Sequence, residues 1–150
     1  MSVVKDAATA RLDDLHREGM EVIGVLEDLE ARIDDVDLKG LVAAHAAAQR
    51  TLLERIADLR RARGEMPHAA DPERSHLEAA GAFVRAVLLP GHTSAHYNDS
   101  LLQAAGRIEA RLDAALALDP DPRMRGLLES FRNDNAAFQR ALRLRAERGG

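Results

Sequence analysis

The chain has 150 residues, no cysteine and a formal net charge of -4. That length fits one domain with a sizeable core, and the missing thiols exclude a disulfide framework, a zinc–thiolate centre and a cysteine nucleophile. Acidic balance, one tyrosine and no tryptophan provide neither the basic face nor the stacking platform that nucleic acid needs, and no run nears the roughly 18 apolar residues of a membrane span.

The first predicted helix covers residues 4–34. Leu12, Leu15, Gly19, Val22, Leu26, Leu29 and Ile33 alternate three- and four-residue spacings, which places them on one stripe. Gly19 has no side chain, so a neighbouring helix can come close there. Asp34-Asp35-Val36-Asp37 reads as a turn followed by an N-cap, because carboxylates accept bonds from the free amides of a helix start. The opening MSVVKDAATARLDD lacks the apolar stretch of a secretion signal, so a cytoplasmic location is expected.

A second helix is predicted over 38–63, with Leu38, Leu41, His45, Ala48, Leu52, Ile56 and Leu59 as its stripe. Arg60, Arg61 and Arg63 oppose the negative end of its dipole. Gly64 then offers a left-handed cap, and Pro67 prevents continuation. Asp71-Pro72-Glu73 starts a short helix over 72–89 that carries Phe83, Val84, Val87 and Leu88, before Pro90-Gly91 ends it.

The third long helix is placed at 96–118, on Leu101, Ala105, Ile108, Leu112 and Ala115. Asp119-Pro120-Asp121-Pro122 is a proline-fixed turn. The fourth helix follows over 122–148, with Leu127, Leu128, Phe131, Asn135, Phe138, Ala141 and Leu142 on its inner face. Four amphipathic helices of this length pack as a bundle. The short links make the first and last pairs antiparallel. The long middle connection permits the second and third helices to run parallel, or an up-down-up-down order with a folded excursion.

Bundle catalysts of the di-iron type take a Glu from each of two helices and Glu-x-x-His from the other two. Val42 stands where the Glu partner of His45 belongs, and Phe138 stands where a His should follow Asn135. Glu18 borders the first stripe, and Glu109 flanks Ile108. Glu18, His45, Glu109, Asn135 and Gln139 therefore form the candidate buried polar cluster. Their simpler use has Glu18, Glu109 and Gln139 solvated and His45 as a core or seam-edge histidine satisfied by one neighbour; alternatively, a buried His45 and Asn135 fix helix register, as polar seam residues can. No catalytic, cofactor-binding or metal-binding residue is assigned.

Other chemistry has little support. His92 and His96 stand four apart, a spacing that suits zinc or nickel, and His68 and His76 share their connector, but no carboxylate completes a set. Gly-x-Ser-x-Gly, the phosphate-binding P-loop and the dinucleotide fingerprint are absent. A phosphotransfer bundle carries a His shortly before Lys-Gly, and here Val36 precedes Leu38-Lys39-Gly40 at that place. Arg50, Arg55, Arg60, Arg61 and Arg63, with Arg140, Arg143, Arg145 and Arg148, oppose an acidic set of Glu27, Asp28, Glu30, Asp34, Asp35 and Asp37. These are expected to be solvated faces with weak mutual pairing.

The segment IDDVDLKGLVAAHAAAQRTLLERIADLRRARGEMP resembles the first turn and second helix of a bacterial ferritin-like family of unknown function. LDAALALDPDPRMRGLLESFRNDNAAFQRALRLR resembles that family's third-to-fourth helix junction. The resemblance implies a ferritin-like four-helix bundle with a short crossover helix between the second and third long helices. Relatives tend to carry a His-Asp pair late in the fourth helix and glutamates in the third. This chain has Phe138-Gln139 and Gln103-Ala104-Ala105-Gly106 instead.

The expected fold is thus all-α, a ferritin-like bundle in one domain over residues 1–150. The expected role is a non-enzymatic structural or protein-interaction module, stress-related in a bacterium, that self-associates as a homodimer through the apolar crossover helix or binds a protein partner. Two alternatives are a metal-binding bundle with oxidase or storage activity and a small-ligand bundle with a pocket beside Gly19 and His45.

Overall fold

A computed structural model describes residues 6–65 and 94–148, with the side chains of 94–96 excepted. They form four long helices: α1 (Ala7–Glu30), α2 (Val36–Ala62), α3 (Ser94–Leu116) and α4 (Pro122–Glu147). The described residues contain no strand. The predicted connector helix over 72–89 lies outside the described residues, as do His68, His76 and His92.

Aspartate side chains start three of the helices. Asp6 accepts from the Thr9 amide at 2.7 Å, Asp35 from the amides of Asp37 and Leu38, and Asp121 from those of Arg123 and Met124. Each satisfies amides that the first turn leaves without partners. Asp35 therefore begins α2 at Val36, two residues before the expected start. α1 ends at Glu30 rather than 34, although Ile33 stays buried beyond the helix end. The apolar spacing thus outlasts the helix. Gly64 adopts a positive φ of 80°. It closes α2 as a Schellman motif, with the Glu65 amide donating to the Arg60 carbonyl at 2.9 Å.

Each helix packs on two neighbours: α1 on α2 and α3, and α4 on α2 and α3. The pairs α1–α4 and α2–α3 make no contact among the described residues and stand across the diagonals. Contacts along each seam fix direction. Asp13 meets Arg60 and Glu27 meets Arg50, so α1 and α2 are antiparallel. Asp14 and Glu18 reach Arg111 and Arg107 on α3. Asp35 binds Arg145, and Arg63 binds Asp121, across α2 and α4. Asn98 donates to the Leu142 carbonyl and Asn135 to that of Ala105. Every touching pair is antiparallel, so α2 and α3 run parallel. Of the two orders open to the sequence, this geometry selects up-down-down-up.

The core runs the length of the bundle and includes every expected stripe member of α1 and α3. Leu53 fills the space before Gly19, and a Cβ on that glycine would stand 2.7 Å from Leu53 Cδ1. The close approach is real and is already occupied. On α2 the buried face is turned from the expected one. Val42, Gln49 and Leu53 are buried, while Leu41 and Ala48 are half-buried. The three- and four-residue spacing selects Ala48, and the fold puts Gln49 inside instead.

Candidate functional site

The inward polar group is built on α2 and α4. His45 and Gln49 are one helical turn apart and share a face. Asp134 and Asn135 are consecutive, so Asn135 points to the core while Asp134 stands at its edge. Gln49 Nε2 lies 2.7 Å from His45 Nε2 and donates to Asn135 Oδ1 at 3.2 Å. Asn135 Nδ2 donates to the Ala105 carbonyl at 2.8 Å. The roles close when His45 Nε2 accepts from the amide and Nδ1 carries the proton. That Nδ1 is 2.9 Å from Asp134 Oδ2, within ion-pair reach but off line for a hydrogen bond. Phe138 stacks on the imidazole, with centroids 3.8 Å apart and planes 8° from parallel.

Of the five residues singled out in the sequence, His45, Asn135 and Gln139 are buried. His45 and Asn135 meet through Gln49, which the sequence reading left out. The His45–Gln49 spacing of four was the available signal. Glu18 is not part of this network. It turns to α3, where Arg111 Nε donates to Oε2 at 2.9 Å. Glu109 is half-buried and takes no part in the network.

A second group ties α1 to the end of α2. Arg60 has only 1% of its side chain exposed, against the expectation of a solvated basic face. Its guanidinium donates to Asp13 at 2.8 Å and to Glu65 at 3.4 Å. The Schellman turn at Gly64 brings Glu65 back over the helix end and allows the second contact. Arg145 likewise leaves the basic surface to bind Asp35 at 2.7 Å. Arg50 with Glu27 keeps to the exposed pairing that was expected, and Arg61 pairs with Asp58 on its own helix.

His16 is half-buried beside Arg60. Burial holds its pKa below the ordinary value, and the charges of Arg60 and Arg61 add to this against Asp13. A depressed histidine pKa gives stability that is complete above the unfolded value, near 6.5. That stability is lost as pH falls through the folded value, because the unfolded chain binds the proton more readily. His16→Gln is therefore expected to lose less stability than the wild type between pH 7 and pH 5. Urea titrations at both pH values check this, and equal losses refute it.

The inward network has little freedom for chemistry. Phe138 and Gln49 cover one ring face and one ring nitrogen of His45. Val42 and Phe138, at the positions where a di-iron site needs ligands, are both buried. Among the described residues no three His, Asp or Glu side chains converge, and no helix is long and apolar enough to cross a membrane. No protein-family model, curated protein or solved structure matches the chain.

Proposed function

We propose that this chain is a non-enzymatic helical-bundle module that works through protein contacts, including contacts with itself, on a ferritin-like frame whose metal ligands have been replaced. The carrying observation is that the inward polar groups hold one another: Gln49 bridges His45 and Asn135, and Asn135 binds a carbonyl of α3, with Gln49 Oε1 and His45 Nδ1 left outside these bonds. Up-down-down-up order and the 28-residue interval between the described segments, 66–93, support the ferritin-like frame with its crossover. Leu53 against Gly19 and Phe138 against His45 argue against a ligand pocket there. The lack of cysteine favours a reducing, cytoplasmic setting.

The metal-binding alternative is tested directly. Protein purified without chelator is expected to hold iron and manganese far below one ion per chain. Its melting temperature is expected to stay constant when ferrous iron is added, because a ligand that binds only the folded state must raise it. Near-stoichiometric metal, with a raised melting temperature, would overturn the proposal in favour of storage or oxidase chemistry.

A further inference from the structure

We propose that the outward face of α2 is the interface of a two-fold homodimer, in which the Val36 end of each copy seats in a groove at the far end of its partner's α2. The inference rests on the self-association just proposed and names its surface. Val36 is 80% exposed, the most exposed large apolar residue described. Asp34 and Asp37 flank it, both exposed and without an ion pair among the described residues. Lys39 stands on the opposite side of the helix from Asp37.

The groove lies between α2 and α4, with Leu59, Ala62 and Leu127 as its apolar lining and Arg55 and Arg123 at its rims. Both arginines are exposed and make no ion pair among the described residues. Asp58 also borders the groove and is held by Arg61. An apolar projection between two carboxylates thus has its complement in an apolar floor between two guanidiniums. Between these ends the outer face of α2 exposes small, uncharged residues at Gly40, Ala44, Ala47 and Thr51, and one carboxylate, Glu54, beside the groove end. A Cβ on Gly40 would meet nothing within 4 Å. The Thr51 hydroxyl donates to the Ala47 carbonyl at 3.1 Å, which hides its polarity.

Two copies of such a face can approach closely as antiparallel helices. An isologous contact demands that if residue i meets j, then j meets i. An axis at Ala47–Ala48 sets residue 36 opposite residue 59, so both ends engage at once; Asp37 then stands opposite Asp58, whose charge Arg61 offsets, with Arg55 one turn away. A parallel arrangement would set the acidic ends against each other.

Sedimentation velocity on the full chain tests this. The wild type is expected to sediment at twice 16.4 kDa. Reversing the groove (Arg55→Glu with Arg123→Glu), or the projection (Asp34→Arg with Asp37→Arg), is expected to weaken the dimer at least tenfold. An equal mixture of the two variants restores it, since the mixed dimer keeps one native contact and one reversed contact. Ala47→Glu puts two carboxylates across the axis and dissociates the dimer without touching the core. Circular dichroism checks that each variant is folded. A wild-type dimer unaffected by the reversals and by Ala47→Glu would overturn this interface while self-association stands. Two dissociated variants that do not recombine would also overturn it. A wild-type monomer at every concentration would overturn both proposals.

Discussion

Replacing Arg60 by alanine is expected to cost about 2–4 kcal/mol, a little less than the loss of one partner from a fully buried ion pair. The guanidinium is enclosed, but Asp13 and Glu65 keep 11% and 30% of their side-chain exposure, and water meets part of their need when the cation goes. Two losses combine in the alanine variant. One is the space left by a large enclosed side chain, and the other is the missing cation between α1 and the end of α2. Arg60→Met separates them, because it restores aliphatic volume without charge and should recover the packing share. Chemical denaturation of the three proteins gives both shares. An alanine variant within 0.5 kcal/mol of wild type, as surface substitutions usually are, would show that Arg60 is dispensable.

Arg60 also marks where the sequence stops being legible. The helices could be read because their signals are local: apolar spacing, aspartate caps, Gly64 and Pro122. The bounds of α1 and α2 moved by a few residues, as capping geometry took precedence over apolar spacing. An arginine in a cluster of arginines at a helix end reads as exposed, and only packing against α1 shows otherwise. Gln49 is a similar case. Its burial depends on how α2 is rotated about its axis, and a difference of one position decides whether Ala48 or Gln49 faces inward. Glu18 borders the inner stripe in the sequence, yet Arg111 draws it to the α1–α3 seam. That competition acts between helices, and no single-helix pattern contains it.

The second large effect concerns Asn135. Asn135→Leu is expected to cost about 2–3 kcal/mol, because Gln49 loses the acceptor of a buried hydrogen bond while its own desolvation remains. Removing the whole network should behave differently. His45→Leu, Gln49→Leu and Asn135→Leu together leave no inward side-chain polar group of this network unsatisfied, and Asp134, with 31% of its side chain exposed, turns to solvent. The triple variant is expected to be as stable as wild type or more so, since well-packed apolar replacements of buried polar groups often are. What it should lose is uniqueness. The amides fix α2 against α3 and α4 at one axial position, whereas leucines can pack at several, so amide resonances should broaden or multiply even as the midpoint of unfolding rises. Stability recovered with a single sharp set of resonances would mean that apolar packing alone sets the register. Failure of the triple variant to recover stability would mean that these bonds stabilise the fold in their own right. The expected combination, stability without uniqueness, accounts for polar residues at the middle of a largely apolar seam: they choose among packings of similar energy.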